Sequence, residues 1–162
     1  MHELVLKCLT LTTRKVLGLP RILQMIERLK AEILESDEPF VWEVLPEGLV
    51  KEVFSVGVKS GWVFVLKPTC EAPPHFHPNS VQFTAVIEGS GRIRVGEEER
   101  DVRLFDKTSF KPVWYVIGEG VPHAVATGGV PMVVVSFHTC PSGELLEVES
   151  ESGRRRVYAR MR

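Results

Sequence analysis

From Phe40 onward the chain is built of short runs that alternate apolar and polar residues with a period of two. These are "FVWEVL", "KEVFSVGV", "GWVFVLK", "VQFTAVIEG", "GRIRVG", "RDVRLF", "SFKPVWYVI", "HAVAT" and "PMVVVSFHT". Turn-forming or charged stretches such as "EGSG", "GEEE" and "TGGVP" separate them. Alternation of this kind puts one face of a strand in a core and the other in water. Many short strands joined by tight turns leave few solutions, namely a mostly antiparallel sandwich or barrel. Nothing in the pattern repeats at a fixed longer period.

The first 38 residues read differently. Pro20 suits the first turn of a helix, where its missing N–H costs nothing. Ile22, Met25, Ile26, Leu29 and Ile33 follow at helical spacing, and Arg28 and Glu32 form an i,i+4 pair on the polar side. The spacing predicts one amphipathic helix ending before Pro39. The expected organisation is therefore an N-terminal helical extension over 1–38 and a β-barrel domain over 39–162. A helix-turn-helix could be drawn through "LTTRKVLGLPRILQMIERLK", but a DNA-reading unit needs more helices and a basic recognition face. A helix that packs on the barrel or on a partner subunit is the simpler reading.

With 162 residues there is room for one domain with a substantial core. The formal net charge of −1 favours neither nucleic acid nor an anionic membrane, and no apolar run approaches the ~18 residues of a membrane span. The opening "MHELVLKCLTLTTRK" lacks the basic start and unbroken apolar stretch of a secretory signal. Cys8, Cys70 and Cys140 are odd in number and widely spaced, which points to reduced thiols in a cytoplasmic protein. The acidic "GELLEVESES" and the arginine-rich "GRRRVYARMR" nearly cancel, as in a terminal hairpin whose charges compensate.

Chemistry concentrates in "HFHPNSVQ", residues 75–82. On a strand, His75 and His77 share a face, with Phe76 turned away. Pro78, Asn79 and Ser80 are turn formers, so a strand–turn–strand unit would bring Gln82 back beside the two imidazoles. His123 opens a later strand behind a loop shaped by Gly118, Gly120 and Pro122. Three imidazole nitrogens and one amide oxygen could surround a divalent transition metal at about 2.1 Å. Such donors suit Fe, Mn, Ni or Zn better than Ca or Mg. His138 shares a strand face with Met132, Val134 and Ser136 and could line the pocket, but a histidine near a strand end is more often solvated. Trp62, Phe64 and Trp114 are aromatic candidates for a pocket wall, with plain core the expected role of most of them.

These residues resemble the cupin superfamily, in particular small single-domain cupins. "HFHPNSVQFTAVIEG" follows the first cupin motif, H-x-H-x4-[E/Q]-x6-G, ending at Gly89, and "GEGVPH" is similar to part of the second. The resemblance covers roughly residues 50–140. It implies an all-β double-stranded β-helix, or jelly roll, here preceded by a short helix. It also implies His75, His77, Gln82 and His123 as metal ligands, and a homodimer as the assembly. The sequence departs from the family pattern at Thr69, Pro112, Gly118 and Thr127, which affect turns. The fourth ligand departs too, because most metal-dependent cupins carry Glu where this chain has Gln82.

With Gln in that place every donor is neutral, and a dication would keep its full charge. Such a centre should attract anionic ligands and polarise a carbonyl, and the four donors include no carboxylate to act as a base. The sequence thus suggests an enzyme that polarises or oxidises a small anionic or carbonyl substrate, by isomerase- or lyase-like chemistry or as a dioxygenase. The alternative is a cupin that binds a small molecule without turnover, as a sensor or storage protein.

Overall fold

A computed structural model describes residues 2–158. Helix α1 spans His2–Leu17 and α2 spans Pro20–Glu35. Eleven strands follow. They are β1 (Phe40–Val44), β2 (Ser60–Leu66), β3 (His75–Phe76), β4 (Gln82–Glu88), β5 (Gly91–Val95), β6 (Glu98–Asp101), β7 (Tyr115–Ile117), β8 (His123–Thr127), β9 (Met132–His138), β10 (Leu146–Glu149) and β11 (Arg155–Val157). They form two antiparallel sheets, ordered β1-β2-β9-β4-β7 and β11-β10-β3-β8-β5-β6. The architecture is mostly β and consistent with a jelly-roll barrel.

Strand alternation sorts the five-stranded sheet into two faces. Val63, Val65, Phe83, Val133, Val135 and Phe137 point outward and join one apolar cluster with Leu9, Val16, Ile22, Ile26, Leu29 and Ile33 of the helices. The helical periodicity read after Pro20 is therefore real, and its apolar stripe covers a sheet. Helix α1 adds a second helix where the sequence suggested one. Its buried face mixes Leu9 and Val16 with Thr10 and Thr13, which blurs the hydrophobic pattern. Trp114 belongs to this outer layer and donates its indole N–H to Thr10 Oγ1 at 3.1 Å. The opposite face of the sheet carries Trp62, Phe64, Gln82, Thr84, Val134, Ser136 and His138 toward the barrel interior, in accord with the alternation.

One run read as a strand is not one. "KEVFSVGV" opens with a 3-10 helix, Lys51–Val56, that continues a short helical turn, Glu47–Val50. Val50 and Val53 are buried three residues apart, a helical spacing. Gly57, at φ 84°, ends the turn in the left-handed region that glycine tolerates. Beta-branched valines suggested a strand, but burial of one helical side won.

The terminal segment does form a hairpin, in which Glu147 is the cross-strand partner of Arg156. Arg160 and Arg162 of the arginine-rich run lie outside the described residues. All three cysteines are free. No described helix is long and apolar enough to cross a membrane.

Candidate metal centre

The segment from His75 to Gln82 does not make a hairpin. Strand β3 belongs to the six-stranded sheet and β4 to the five-stranded one, so the chain crosses the barrel between them. Asn79 holds the crossing, donating from Nδ2 to Glu144 O at 2.7 Å and accepting the Leu146 N–H at 3.2 Å. Gln82 therefore faces the histidines from the opposite wall instead of lying beside them on a paired strand. The turn formers are present, but they serve a sheet-to-sheet connection.

His75 and His123 are direct cross-strand partners, with ring centroids 4.3 Å apart. His77 lies 5.3 Å from His75 and 5.4 Å from His123. One ligand atom from each of the three falls within 4.8 Å of the others. The two motif segments are tied together by backbone, since Gly120 N–H donates to His77 O at 2.9 Å. Gly120 sits at φ 71°, so the residue that shapes this loop needs glycine's freedom.

The position where the cupin pattern has a glycine before the histidine pair is Thr69, and Thr69 keeps a left-handed φ of 51°. Thr127 braces that turn through its hydroxyl, which accepts the Cys70 N–H at 2.9 Å and reaches Lys67 O at 2.6 Å. Two departures from the pattern thus sit at one turn, which one of them steadies.

Carbonyl oxygens fix two of the imidazoles. His77 Nδ1 lies 2.8 Å from Leu146 O, and His123 Nδ1 lies 3.1 Å from Val121 O. A carbonyl only accepts, so each Nδ1 carries the proton and each Nε2 is left as a bare acceptor. Outer hydrogen bonds of this kind are what orient histidines for a metal. His123 Nε2, Gln82 Oε1 and His138 Nε2 are all buried with no partner among the described residues. Gln82 spends its amide N–H on Thr84 Oγ1 at 2.7 Å, leaving the carbonyl oxygen free. The three neutral imidazoles, whose ligand atoms lie close together, fit a divalent transition cation, and Gln82 and His138 offer further neutral acceptors from the other sheet.

Electrostatics agree. Burial, then the neighbouring His77, lowers the pKa of His75 from 6.5 to about 4. Burial also lowers His77, and it holds His123 and His138 well below the ordinary imidazole value. All four are uncharged near neutral pH, the form that binds metals.

Two further residues stand at the site, one of which the sequence offered only as a pocket-lining alternative and the other of which it did not single out. His138, expected to be solvated, is 0% exposed, with its ring 5.2 Å from that of His77. The cause is topological. Strand β9 is central in its sheet, so even its last residue lies under other elements. Glu147, from β10, brings Oε2 to 3.6 Å from His75 Nε2 and hydrogen-bonds the Tyr158 hydroxyl. It lay in an acidic run with no motif to single it out.

Phe40, Phe64, Leu66, Val125, Val134 and Tyr158 enclose a cavity of about 90 Å³ beside His75, His77 and His123. Of the three aromatic candidates, Phe64 lines this space, while Trp62 is buried in the core. A second cavity, of about 210 Å³, shares Phe40, Ala72 and His75 with the first and is lined by Arg154 and Arg156.

The sequence profile of the cupin domain matches residues 62–138. The barrel is a cupin domain. Solved cupin-like structures agree at the level of fold. An oxalate oxidase in complex with the substrate analogue glycolate is 18% identical, with a TM-score of 0.51 over 71% of this chain and 57% of that one. A salicylate 1,2-dioxygenase from Pseudaminobacter salicylatoxidans is 12% identical, with a TM-score of 0.54 over 72% and 33%. An 11S globulin from Wrightia tinctoria, described with an auxin binding site, is 16% identical, with a TM-score of 0.53 over 70% and 28%. This chain therefore spans a little over half of the oxalate oxidase and about a third of the other two. No curated protein matches the cupin chain in sequence.

Proposed function

We propose that His75, His77, Gln82 and His123 hold a divalent transition metal, and that the chain is an enzyme acting on a small anionic or carbonyl substrate. The observation that carries this reading is the convergence of unpartnered acceptors. One ligand atom from each of three imidazoles lies within 4.8 Å of the others, and Gln82 Oε1 and His123 Nε2 are buried without a partner among the described residues. Buried polar atoms are rarely left so without a ligand. The metal, whether Fe, Mn, Ni or Zn, would supply Lewis-acid polarisation or redox chemistry.

The chain's own residues would do the rest. The neutral imidazoles and Gln82 leave a dication's charge unneutralised within the ligand set, with Glu147 at the rim offsetting only part of it, so an anionic group is still attracted. The apolar wall of Phe40, Phe64, Leu66 and Val134 excludes water and limits size. A cavity of about 90 Å³ beside the histidines suits a small reacting group, and the adjoining cavity of about 210 Å³ could take the rest of a ligand. Two of the similar folds are named for small carboxylates, oxalate and salicylate, which supports an anionic substrate by analogy. Both dioxygenase-like and isomerase- or lyase-like reactions suit such a centre. In the same reading residues 1–38 form an extension of the 39–162 barrel, and the protein pairs as a cytoplasmic homodimer.

The test is metal analysis of protein purified without an affinity tag. One redox-active metal per chain, with oxygen uptake on a panel of small diketones, thiols and carboxylates, supports an oxygenase. Zn or Ni without uptake supports Lewis-acid chemistry. His75→Ala and His123→Ala are expected to remove the metal while far-UV circular dichroism stays unchanged. Retention of metal in both variants would sink the proposal. A second reading, a binder without turnover, is favoured by the fold shared with the Wrightia tinctoria globulin. A small anion retained through purification, with no product formed, would select it.

A further inference from the structure

His138 is completely buried, yet only one of its two nitrogens has a partner. Nδ1 lies 3.1 Å from Ser80 Oγ. That hydroxyl donates its single proton to Val81 O at 2.9 Å and accepts the Thr139 N–H at 3.1 Å. With the hydroxyl proton directed to Val81 O, the shorter of its two contacts, Nδ1 carries the imidazole proton and donates it to Ser80. Nε2 is left with a buried lone pair that has no partner among the described residues.

Its place in the sheet gives that lone pair a use. His138 is the cross-strand partner of Gln82, whose Oε1 is likewise buried and unbonded. The two acceptors stand side by side on the wall facing the three-histidine group. His138 does not belong to the tight group of ligand atoms formed by His75, His77 and His123. Yet its ring is as close to His77 as those of His75 and His123 are. An acceptor placed just outside a cation-binding group is suited to a hydrogen-bond donor on whatever the cation holds. Elsewhere on this face β9 carries Met132 and Val134, so an apolar residue would fit the packing.

We propose that His138 Nε2 accepts a hydrogen bond from a hydroxyl group of the small molecule held at the three-histidine group. The site would then select anions that carry an adjacent hydroxyl. The inference rests on the metal reading above and adds a specificity-determining contact to it. A site built to bond a hydroxyl discriminates strongly against an analogue lacking the donor, because its buried acceptor is then left unpaired.

The test uses the full chain loaded with Co(II), with binding followed by the cobalt absorption spectrum. Glycolate, which has the donor, is compared with methoxyacetate, which keeps the same oxygens but lacks it. The unaltered protein is expected to prefer glycolate at least about tenfold. His138→Leu should bind one cobalt per chain as before and bring the ratio near one, and His138→Gln should restore part of the preference. Ser80→Ala, which keeps the ring but frees its proton, should lower the preference and serves where the Leu variant does not fold. An unchanged ratio in His138→Leu or Ser80→Ala overturns the inference, as does loss of cobalt from the Leu variant, which would make His138 a ligand. Failure of the unaltered protein to bind cobalt would instead overturn the metal reading, and this inference with it.

Discussion

Glu147 Oε2 stands 3.6 Å from His75 Nε2, which brings a carboxylate to the rim of a site whose four sequence-predicted donors are all neutral. Glu147 is itself held by the Tyr158 hydroxyl, which sits under an aromatic cluster of Phe40, Trp42, Trp62 and Phe64. A negative charge here offsets part of a dication's field and draws the cation in. Glu147→Gln should therefore weaken metal affinity on the order of tenfold, at the low end for residues that support ligands. Chelator competition measures it, and an unchanged dissociation constant would show that the carboxylate serves only the hairpin.

Gln82→Glu makes the opposite change inside the shell. A carboxylate in place of the amide should raise divalent-metal affinity roughly tenfold or more and weaken small anions by a comparable factor. Calorimetric titration of metal, and then of a small carboxylate, reads both. Tighter anion binding in the variant would contradict the charge argument.

Acid should destabilise the metal-free protein. The folded-state pKa of His75 is lowered to about 4, and those of His77, His123 and His138 are also lowered. Between about pH 6.5 and 4 the unfolded chain binds protons that the folded one does not, so folding stability falls as pH falls through that window. Above about pH 6.5 these groups are neutral in both states and contribute no slope. Urea midpoints from pH 8 to 4.5 should be flat and then decline, and replacing His123 and His138 together with apolar residues should flatten the decline.

Phe137→Ala should destabilise the protein by about 3–5 kcal/mol, the usual range for a buried aromatic in a tight core. Phe137 is 0% exposed and packs in the cluster shared by the outer sheet face and the helices. Thermal melts would check this. Deleting residues 1–38 should do more damage still, since it uncovers Val63, Val65, Val133 and Val135 with Phe137.

The sequence revealed the barrel because its strands alternate cleanly, and it revealed three of the site residues because H-x-H spacing sets two imidazoles on one face. It could not reveal which sheet each strand would join. Turn chemistry alone predicts Gln82 beside His75 on a hairpin, whereas sheet order puts its strand in the other sheet. The same gap hid His138 and Glu147, whose burial and neighbours depend on the positions of β9 and β10 and not on any local pattern. Helix α1 escaped notice because threonines fill part of its buried face, and the valines of 51–58 suggested a strand because local preference ignores what the side chains pack on.

The apolar cluster joins Leu9 to Phe137, near opposite ends of the chain. During synthesis the two helices therefore emerge well before the central strand that covers their greasy side. Until that strand arrives the nascent chain must carry an unsatisfied amphipathic pair, so closure of this layer is expected late, and the assembly is slow for its size because its decisive contacts span so much sequence.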